Sequence, residues 1–258
     1  MNAVIAPHDL TGTTALVTGA SSGLGRRFAL TLAAAGAAVG VVARRLDRLE
    51  QLVTEIRGAG GRAAAVCLDL TRTADIDPAI DAVEAALGPV GVLVNNAGMN
   101  INKPILDVTE ADYDTVMATD LRAVFFVAQA VARRLVGRGT GGRIVNIASL
   151  AAERAVQGLG VYSAAKAGVA QLTRAMALEW AARQINVNAI LPGFIETELN
   201  TRLLNSPAGQ KLVQSFVRRR VPDPSALDGL LLLLASPASA AITGSLFVVD
   251  DGQGFTVH

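Results

Sequence analysis

Tyr162 and Lys166 are the residues of this chain whose types and spacing most directly suggest acid–base chemistry. They lie four positions apart in a stretch, 160–182, that the sequence predicts to be helical, so their side chains share one helix face. A neighbouring ammonium group makes a phenol easier to ionise, because its positive charge favours the phenolate. The pair could therefore exchange a proton near neutral pH, although this spacing is common by chance and needs support from the rest of the chain.

The counts of histidine and cysteine exclude several other kinds of site. The two histidines, His8 and His258, stand near the ends of the sequence, so a histidine-based triad or metal site would require a tail to fold into the centre. The single cysteine, Cys67, cannot form an internal disulfide, and its apolar neighbours predict a small core residue. We therefore expect a tyrosine rather than a histidine as the acid–base group, and no metal.

Charge and hydrophobicity indicate a globular protein and favour neither a nucleic-acid nor a membrane partner. The net charge is +1 and aromatic residues are few, which gives no basis for a nucleic-acid partner. Strongly apolar runs such as 230–235 are too short to cross a bilayer, and residues 1–10 do not resemble a signal peptide. We expect no membrane association and a cytoplasmic location.

Short apolar runs alternate with amphipathic stretches along the whole chain. Near-continuous apolar strands separated by helices indicate a parallel sheet covered on both faces. We therefore expect an α/β fold in one domain, 1–258, with a Rossmann-type doubly wound sheet of about seven strands and ligands at their carboxyl ends. The predicted strands are 13–18, 38–43, 63–68, 90–95, 143–148, 185–190 and 245–249, and the predicted helices are 23–35, 46–57, 73–86, 110–118, 120–136, 160–182 and 224–235.

A glycine-rich turn follows the first predicted strand and opens the first helix. Such a turn lets the backbone approach a pyrophosphate, and the helix N-terminus favours the phosphate charge. The spacing G-x-x-x-G-x-G differs from the commoner dinucleotide fingerprint, but its place between a strand and a helix favours nucleotide binding. The candidate cofactor residues in this turn are Gly19, Ser21, Ser22, Gly23, Leu24 and Gly25.

Two arginines, Arg44 and Arg45, follow the second predicted strand. NAD-binding folds usually place an acidic residue there against the adenine ribose. A carboxylate would repel a 2′-phosphate, whereas a guanidinium binds it through charge-assisted hydrogen bonds. We therefore predict NADP(H) in preference to NAD(H), with NAD(H) still possible.

Further motifs lie at the ends of later strands, and with the glycine turn they resemble the single-domain short-chain dehydrogenase/reductase family over about residues 10–252. Several independent motifs in the right order are far more specific than any one of them. The matching positions are Asp69, Asn95-Asn96-Ala97-Gly98, Ser149, Tyr162 with Lys166, and Pro192-Gly193-Phe194-Ile195-Glu196-Thr197.

The resemblance implies a role for each matching residue. Ser149 would hydrogen-bond the substrate oxygen, Tyr162 would transfer the proton, and Lys166 would hold the nicotinamide ribose. Asp69 and Leu70 would lie against the adenine ring. The remaining cofactor contacts would come from Asn96, Ala97, Gly98, Pro192, Gly193, Ile195 and Thr197, together with Tyr162 and Lys166.

Two positions depart from the family pattern. Asp120 stands where the family has an asparagine that completes a catalytic tetrad and helps to hold a helix distortion. An aspartate accepts the same hydrogen bonds but cannot donate them unless it is protonated, so we expect activity to survive with an altered pH profile. Near the C-terminus, Asp250-Asp251-Gly252-Gln253 replaces the usual Asp-Gly-Gly. We expect this segment to lie far from the chemistry and to bear on subunit contacts.

The resemblance implies hydride transfer between NADP(H) and the carbonyl or secondary alcohol carbon of a small to medium substrate. Residues 194–220 would form a lid, and a mostly apolar pocket favours a hydrophobic ketone. The substrate contacts would come from Ser149, Tyr162, Met99, Leu150, Ala151, Gln157, Phe194, Leu199 and Leu203.

Three alternatives stay open at this point. One is a 3-oxoacyl-thioester reductase, which the arginines at 218–220 support weakly, although a solvated lid edge or a subunit contact explains them better. Another is a polyol or sugar-acid dehydrogenase. The third is a catalytically silent nucleotide-binding protein, for which Asp120 is the only support. The two long apolar helices, 120–136 and 160–182, imply by the same resemblance a homotetramer.

Overall fold

A seven-stranded parallel sheet forms the centre of the computed structural model, which describes residues 8–197 and 201–255 and, at 202 and 203, the backbone alone. The sheet order is β3-β2-β1-β4-β5-β6-β7, and all neighbouring strands run parallel. The doubly wound sheet predicted from the sequence is therefore confirmed. The strands are β1 (Thr14–Thr18), β2 (Ala38–Ala43), β3 (Arg62–Cys67), β4 (Val90–Asn95), β5 (Gly142–Ile147), β6 (Ile185–Pro192) and β7 (Leu246–Val249).

Helices cover both faces of this sheet, which is why its central strands are almost wholly apolar. The helices are α1 (Gly23–Ala34), α2 (Leu46–Gly58), α3 (Ile76–Leu87), α4 (Glu110–Met117), α5 (Ala123–Arg138), α6 (Gly160–Trp180), α7 (Thr201–Leu204), α8 (Pro207–Ser215) and α9 (Asp228–Ala235). On one face α1, α2 and α9 bury their apolar sides, and on the other face α3, α5 and α6 do so.

The order of the strands reverses between β1 and β4, and this reversal positions the site. Each parallel strand delivers its carboxyl end to the same edge of the sheet, so loops that are distant in sequence meet there. The loops that follow β1, β4, β5 and β6 begin at Gly19, Asn96, Ala148 and Gly193, respectively. The fold thus gathers the candidate residues along one edge.

A π-helical turn, Ala118–Arg122, joins α4 and α5 into one continuous helical stretch. Among the described residues, the stretch Glu110–Arg138 is the one helix long and apolar enough by length and composition to cross a membrane. However, α5 packs against β4 and β5, and its buried side chains belong to the core. This is the position of a core helix in an α/β domain.

The prediction that Cys67 is a core residue is wrong. It is exposed at the carboxyl end of β3, and its thiol lies 3.4 Å from the carbonyl oxygen of Arg44. The reason is that β3 is an edge strand, of which only Ala63 is fully buried. An apolar run at a sheet edge is covered less completely than the same run at the centre.

Candidate active site

Helix α6 carries both members of the tyrosine–lysine pair near its N-terminal end. The Nζ atom of Lys166 lies 5.6 Å from the centre of the Tyr162 ring. Lys166 is buried and donates a hydrogen bond to the carbonyl oxygen of Ile147 at 3.0 Å, at the end of β5. Tyr162 is half-buried. The lysine is therefore fixed by its bond to the end of β5, while part of the tyrosine side chain stays accessible.

Asp120 lies at the centre of the π-helical turn and is fully buried. Its Oδ2 atom is 3.2 Å from Nζ of Lys166, and its Oδ1 atom accepts a hydrogen bond from the backbone N–H of Met99 at 2.8 Å. The carboxylate therefore ties the helix distortion to α6 and to the loop after β4. Local π-helical turns often mark functional sites, and this one delivers Asp120 to the candidate acid–base pair.

Burial and charge act against each other in this pair. Burial raises the pKa of Asp120, and the positive charge of Lys166 and the Met99 N–H offset that rise only in part. Burial lowers the pKa of Lys166, but Asp120 and Tyr162 raise it by more, so its pKa lies above the ordinary value. Lys166 thus carries its charge at neutral pH, and a carboxylate reduces the field that this charge exerts on Tyr162.

Ser149 follows β5 and caps a short helical turn, Leu150–Ala152, that packs against α6. Its Oγ atom accepts a hydrogen bond from the backbone N–H of Ala151 at 3.1 Å. A hydroxyl that accepts in this way can still donate its own proton to a substrate oxygen. The fold thus brings Ser149 to the same region of the sheet edge as Tyr162.

The glycine turn packs closely against the loop that follows β4. Gly19 has a φ of +67°, and a Cβ atom at this position would lie 2.7 Å from Cα of Ala97. Hydrogen bonds hold the two loops together: the Asn96 side chain donates to the Thr18 carbonyl at 3.0 Å, and the Thr18 hydroxyl accepts from the N–H of Ala97 at 3.0 Å. Only glycine satisfies both the backbone angle and the close approach at position 19.

The N-terminus of α1 is open to an anion. Ser22, the N-cap residue, makes no capping hydrogen bond with its side chain. Arg45 donates to the hydroxyls of Ser21 at 3.0 Å and Ser22 at 2.7 Å, so its guanidinium lies over the turn. The helix dipole and the arginine therefore add positive potential at one place.

Asp69 and Leu70 follow β3. Both the side chain and the backbone N–H of Thr71 donate to Asp69 Oδ1, at 2.8 and 3.0 Å, and these bonds lower the pKa of Asp69. Arg44 is exposed, and its charge contributes to the same lowering. Leu70 is buried and lines a narrow crevice with Ala97. The carboxylate thus shapes the turn beside the region where the resemblance places the adenine.

The segment after β6 runs from the sheet toward the glycine turn. Ile195 is buried in the core, and the side chain of Thr197 lies 3.6 Å from the position that a Cβ atom on Gly23 would occupy. The segment therefore bridges the expected nicotinamide and phosphate regions. The ring centres of Phe194 and Phe216 are 5.7 Å apart, and Phe216 follows α8. This contact between the two rings anchors the segment predicted to be a lid.

The remaining candidates for substrate contacts divide into three groups. Met99, Leu150 and Ala151 lie in the loops beside Asp120 and Ser149, and Ala151 is buried. Gln157 is exposed in the loop before α6. The last two candidates fall where the structure gives no side chain: Leu199 is outside the described residues, and of Leu203 only the backbone is described.

The expectation that residues 250–253 lie far from the chemistry is wrong. The Gln253 side chain exchanges two hydrogen bonds with the backbone of Phe194, directly after β6. The physical reason is that β7 pairs in parallel with β6, so their carboxyl ends emerge side by side.

Arg218 and Arg220 are exposed, as a lid edge would be, but both form ion pairs with Asp251, with Nε–O distances of 3.3 and 2.7 Å.

The structure also contains two buried polar residues, Asn146 and Thr173, that the sequence motifs did not indicate. The side chain of Asn95 donates to that of Asn146 at 3.0 Å, and Asn146 donates to the Thr173 hydroxyl at 2.9 Å. This buried chain of hydrogen bonds links β4, β5 and α6 beneath the site. Asparagines inside apolar strands were the available signal, because a buried amide requires partners.

Arg154 was likewise not indicated by any motif. It is exposed in the loop after Ser149, and its Nε atom lies 3.4 Å from the position that a Cβ atom on Gly254 would occupy, next to Leu150. Within residues 8–197 and 201–255, no carboxylate lies within 4.0 Å of its guanidinium. In this part of the chain, a cation without an ion-pair partner within 4.0 Å therefore stands between the Ser149 turn and the tail after β7, on the same side of Gly254 as the Asp250 carboxylate.

Comparisons with known proteins agree with this geometry. A family model described as short chain dehydrogenase matches residues 13–207. Gluconate 5-dehydrogenase of Gluconobacter oxydans is 35% identical, with 95% of each chain covered. L-xylulose reductase of Mesocricetus auratus is 38% identical, with 94% of this chain and 97% of that protein covered.

A solved structure of a related protein has the same fold. The gluconate 5-dehydrogenase of Burkholderia cenocepacia J2315, in complex with NADP and tartrate, superposes with a TM-score of 0.92 at 36% identity. The match covers 97% of this chain and 98% of that one.

Proposed function

The chain belongs to the short-chain dehydrogenase family, whose relatives interconvert CH–OH and C=O groups, and from that premise we propose an NADP(H)-dependent sugar-acid or polyol dehydrogenase. The observation that carries the proposal is the arrangement at the sheet edge. Tyr162 lies over the buried Lys166 on α6, the short turn that Ser149 caps packs against this helix, and the glycine turn follows β1 at the same edge of the sheet. This arrangement supports an acid–base pair beside a binding site for a dinucleotide.

The residues at this edge fit a dinucleotide. Gly19 lies so close to Ala97 that a side chain would be excluded, and the first N–H groups of α1, which follow this turn, have no partner within the helix. Arg45, over Ser21 and Ser22, is suited to a 2′-phosphate and supports NADP(H) over NAD(H). The nicotinamide end would be held by Lys166 and by the segment after β6. When bound, the nicotinamide supplies or accepts the hydride.

The protein's own part in the reaction is proton transfer and polarisation of the substrate. In reduction the Tyr162 hydroxyl donates its proton to the carbonyl oxygen, and in oxidation the phenolate removes the alcohol proton. Ser149 donates a hydrogen bond to the same oxygen. Lys166 favours the phenolate through its charge, and Asp120 reduces that effect because it neutralises part of the charge.

A polar, hydroxylated substrate is better supported than the apolar ketone expected from the sequence. Several relatives are named for gluconate, threitol or xylulose, and one of the solved structures holds tartrate. Phe194, one of the apolar walls expected, packs on Phe216 instead. The exposed guanidinium of Arg154 beside the Ser149 turn suits a substrate carboxylate. A sugar acid would account both for the polar substrates named for the relatives and for the positive charge of Arg154.

The thioester alternative loses its support, because Arg218 and Arg220 are paired with Asp251. We also propose that residues 194–220 act as the lid and that the protein is a homotetramer. Support for the tetramer comes from apolar side chains left exposed on the two long helices. Leu178 on α6 is 83% exposed and Val136 on α5 is 40% exposed.

Substrate profiling with the purified protein tests the proposal. NADP reduction would be followed with gluconate and with neutral polyols, and NADPH oxidation with 5-keto-gluconate, an apolar ketone and a 3-oxoacyl thioester. We expect the highest kcat/KM with a sugar acid or polyol and with the 2′-phosphorylated cofactor. A clear preference for the apolar ketone or the thioester would contradict the proposed substrate class.

The Arg154→Gln variant tests the charge argument. Loss of a charge-assisted hydrogen bond should raise KM for a sugar acid roughly tenfold or more, while KM for a neutral polyol stays unchanged. Arg183→Gln is the matched control, because Arg183 is exposed in the turn before β6, at the edge of the sheet opposite the site. Equal effects on acidic and neutral substrates would refute a carboxylate contact.

A further inference from the structure

The tail after β7 reaches back to the end of β6. The Gly193 N–H donates to the carbonyl oxygen of Val249 at 3.1 Å, which extends the pairing of β6 and β7 by one step. Beyond it, Gln253 is buried, since only 4% of its surface is exposed. Its Oε1 atom accepts from the N–H of Phe194 at 2.6 Å, and its Nε2 atom donates to the Phe194 carbonyl at 2.9 Å.

This contact leaves no free space. A Cβ atom on Gly193 would lie 2.5 Å from Oε1 of Gln253 and 2.8 Å from Cβ of Asp250. Asp250 fixes the turn that presents the glutamine, because its carboxylate accepts from the N–H groups of Gly252 at 2.9 Å and Gly254 at 2.6 Å. The side chain of Gln253 is therefore held in one place, and the backbone of Phe194 is held by it.

A primary amide is chemically suited to this position. It offers one donor and one acceptor in a single plane, which matches the N–H and C=O of one residue. A carboxylate would satisfy only the N–H, and an apolar side chain would satisfy neither. The sequence Asp250-Asp251-Gly252-Gln253, which departs from the usual Asp-Gly-Gly, thus has a structural use at the end of β6.

We propose that Gln253 is a positioning residue for the nicotinamide half of the cofactor. It acts through Phe194, which lies between Gly193 and Ile195 in the segment assigned to the nicotinamide, so the inference rests on the proposed function. Two hydrogen bonds to one residue fix the direction of the neighbouring peptide groups. The adenosine half, bound across the sheet near Arg45, does not depend on them.

Gln253→Met tests this role, because methionine is of similar length and removes both hydrogen bonds. We expect Kd for NADPH to rise roughly tenfold or more, and kcat to fall, because the N–H and C=O of the half-buried Phe194 lose their partners. Binding of 2′,5′-ADP, which lacks the nicotinamide half, should be unchanged. Gln253→Glu keeps the acceptor for the Phe194 N–H but turns a carboxylate oxygen toward the Phe194 carbonyl oxygen, so it should also raise Kd for NADPH.

The matched control is Asn186→Leu. Asn186 lies at the opposite end of β6, and its amide donates to the carbonyl oxygens of Ser239, Ala240 and Ile242. We expect this variant to lose thermal stability while it keeps wild-type Kd for both NADPH and 2′,5′-ADP. The comparison separates the loss of a side-chain amide bonded to the backbone from the loss of nicotinamide positioning.

Several outcomes would overturn the inference. One is a Gln253→Met protein that binds NADPH and turns over like the wild type, and another is one that loses 2′,5′-ADP and NADPH equally. If the methionine variant does not fold, an unchanged Kd for NADPH in Gln253→Glu would overturn it in the same way. A wild-type protein that binds neither nucleotide would instead refute the proposed function itself.

Discussion

Replacement of Asp120 by asparagine should move the pH dependence of alcohol oxidation to lower pH. Asp120 Oδ2 lies 3.2 Å from Nζ of Lys166, and that nitrogen lies 5.6 Å from the centre of the Tyr162 ring. The carboxylate is therefore within about 9 Å of the ring centre. A negative charge there disfavours the phenolate that must accept the alcohol proton, so its removal favours this base.

Coulomb's law gives the size of the expected shift. Two unit charges about 9 Å apart at an effective dielectric constant of about 20 interact by about 1.8 kcal/mol, which corresponds to roughly 1.3 pH units. Asparagine keeps an oxygen that can accept the Met99 N–H bond, and Lys166 keeps its bond to Ile147. The geometry of the site should therefore survive the change.

The assay is kcat/KM for NADP-dependent oxidation over the neutral to alkaline range. In Asp120→Asn the acid limb of the profile should move down by about one pH unit. Asp114→Asn, at an exposed position on α4, is the control and should leave the profile unchanged. An unchanged limb in Asp120→Asn, or a limb that moves to higher pH, would refute the electrostatic role given to Asp120.

Three further predictions concern the cofactor, the core and the assembly. Arg45→Ala should lower the ratio of kcat/KM for NADP to kcat/KM for NAD by roughly tenfold to a hundredfold, because it removes a guanidinium from the glycine turn. The control is Arg48→Ala, at an exposed position on α2, which should leave this ratio unchanged. Asn146→Leu should lower the free energy of unfolding by about 1–3 kcal/mol, because Asn95 and Thr173 each lose a buried hydrogen-bond partner. Urea titrations measure this change, and an unchanged midpoint of unfolding would contradict the prediction. Sedimentation equilibrium should give four times the chain mass of 26.6 kDa, and a monomer would refute the tetramer.

Much of the fold could be predicted because its signals are local. The alternation of apolar runs and amphipathic stretches indicates seven strands and their order along the chain, and parallel sheets bury both faces of each strand. The place of Ser149, Tyr162 and Lys166 follows from this rule, since loops after parallel strands share one edge. The helix distortion at Asp120, implied by the family resemblance, is present as a π-helical turn.

The errors and omissions concern contacts between distant segments. Cys67 looks like a core residue in its local sequence, and only the position of β3 at the sheet edge explains its exposure. The contact of Gln253 with Phe194 depends on the register between β6 and β7, which no local pattern specifies. The choice of Arg45 over Arg44 as the residue on the glycine turn is also a matter of side-chain direction.

Tyr162→Phe tests the central claim most directly. The chain contains two tyrosines, so Tyr113→Phe, at an exposed position on α4, is a matched control. We predict that Tyr162→Phe binds NADPH like the wild type but reduces its sugar-acid or polyol substrate at least a thousandfold more slowly, in line with the upper range for a lost general acid, about 10³ to 10⁴. Tyr113→Phe should keep full activity. Turnover in Tyr162→Phe close to that of the control, with the cofactor bound, would contradict Tyr162 as the proton donor.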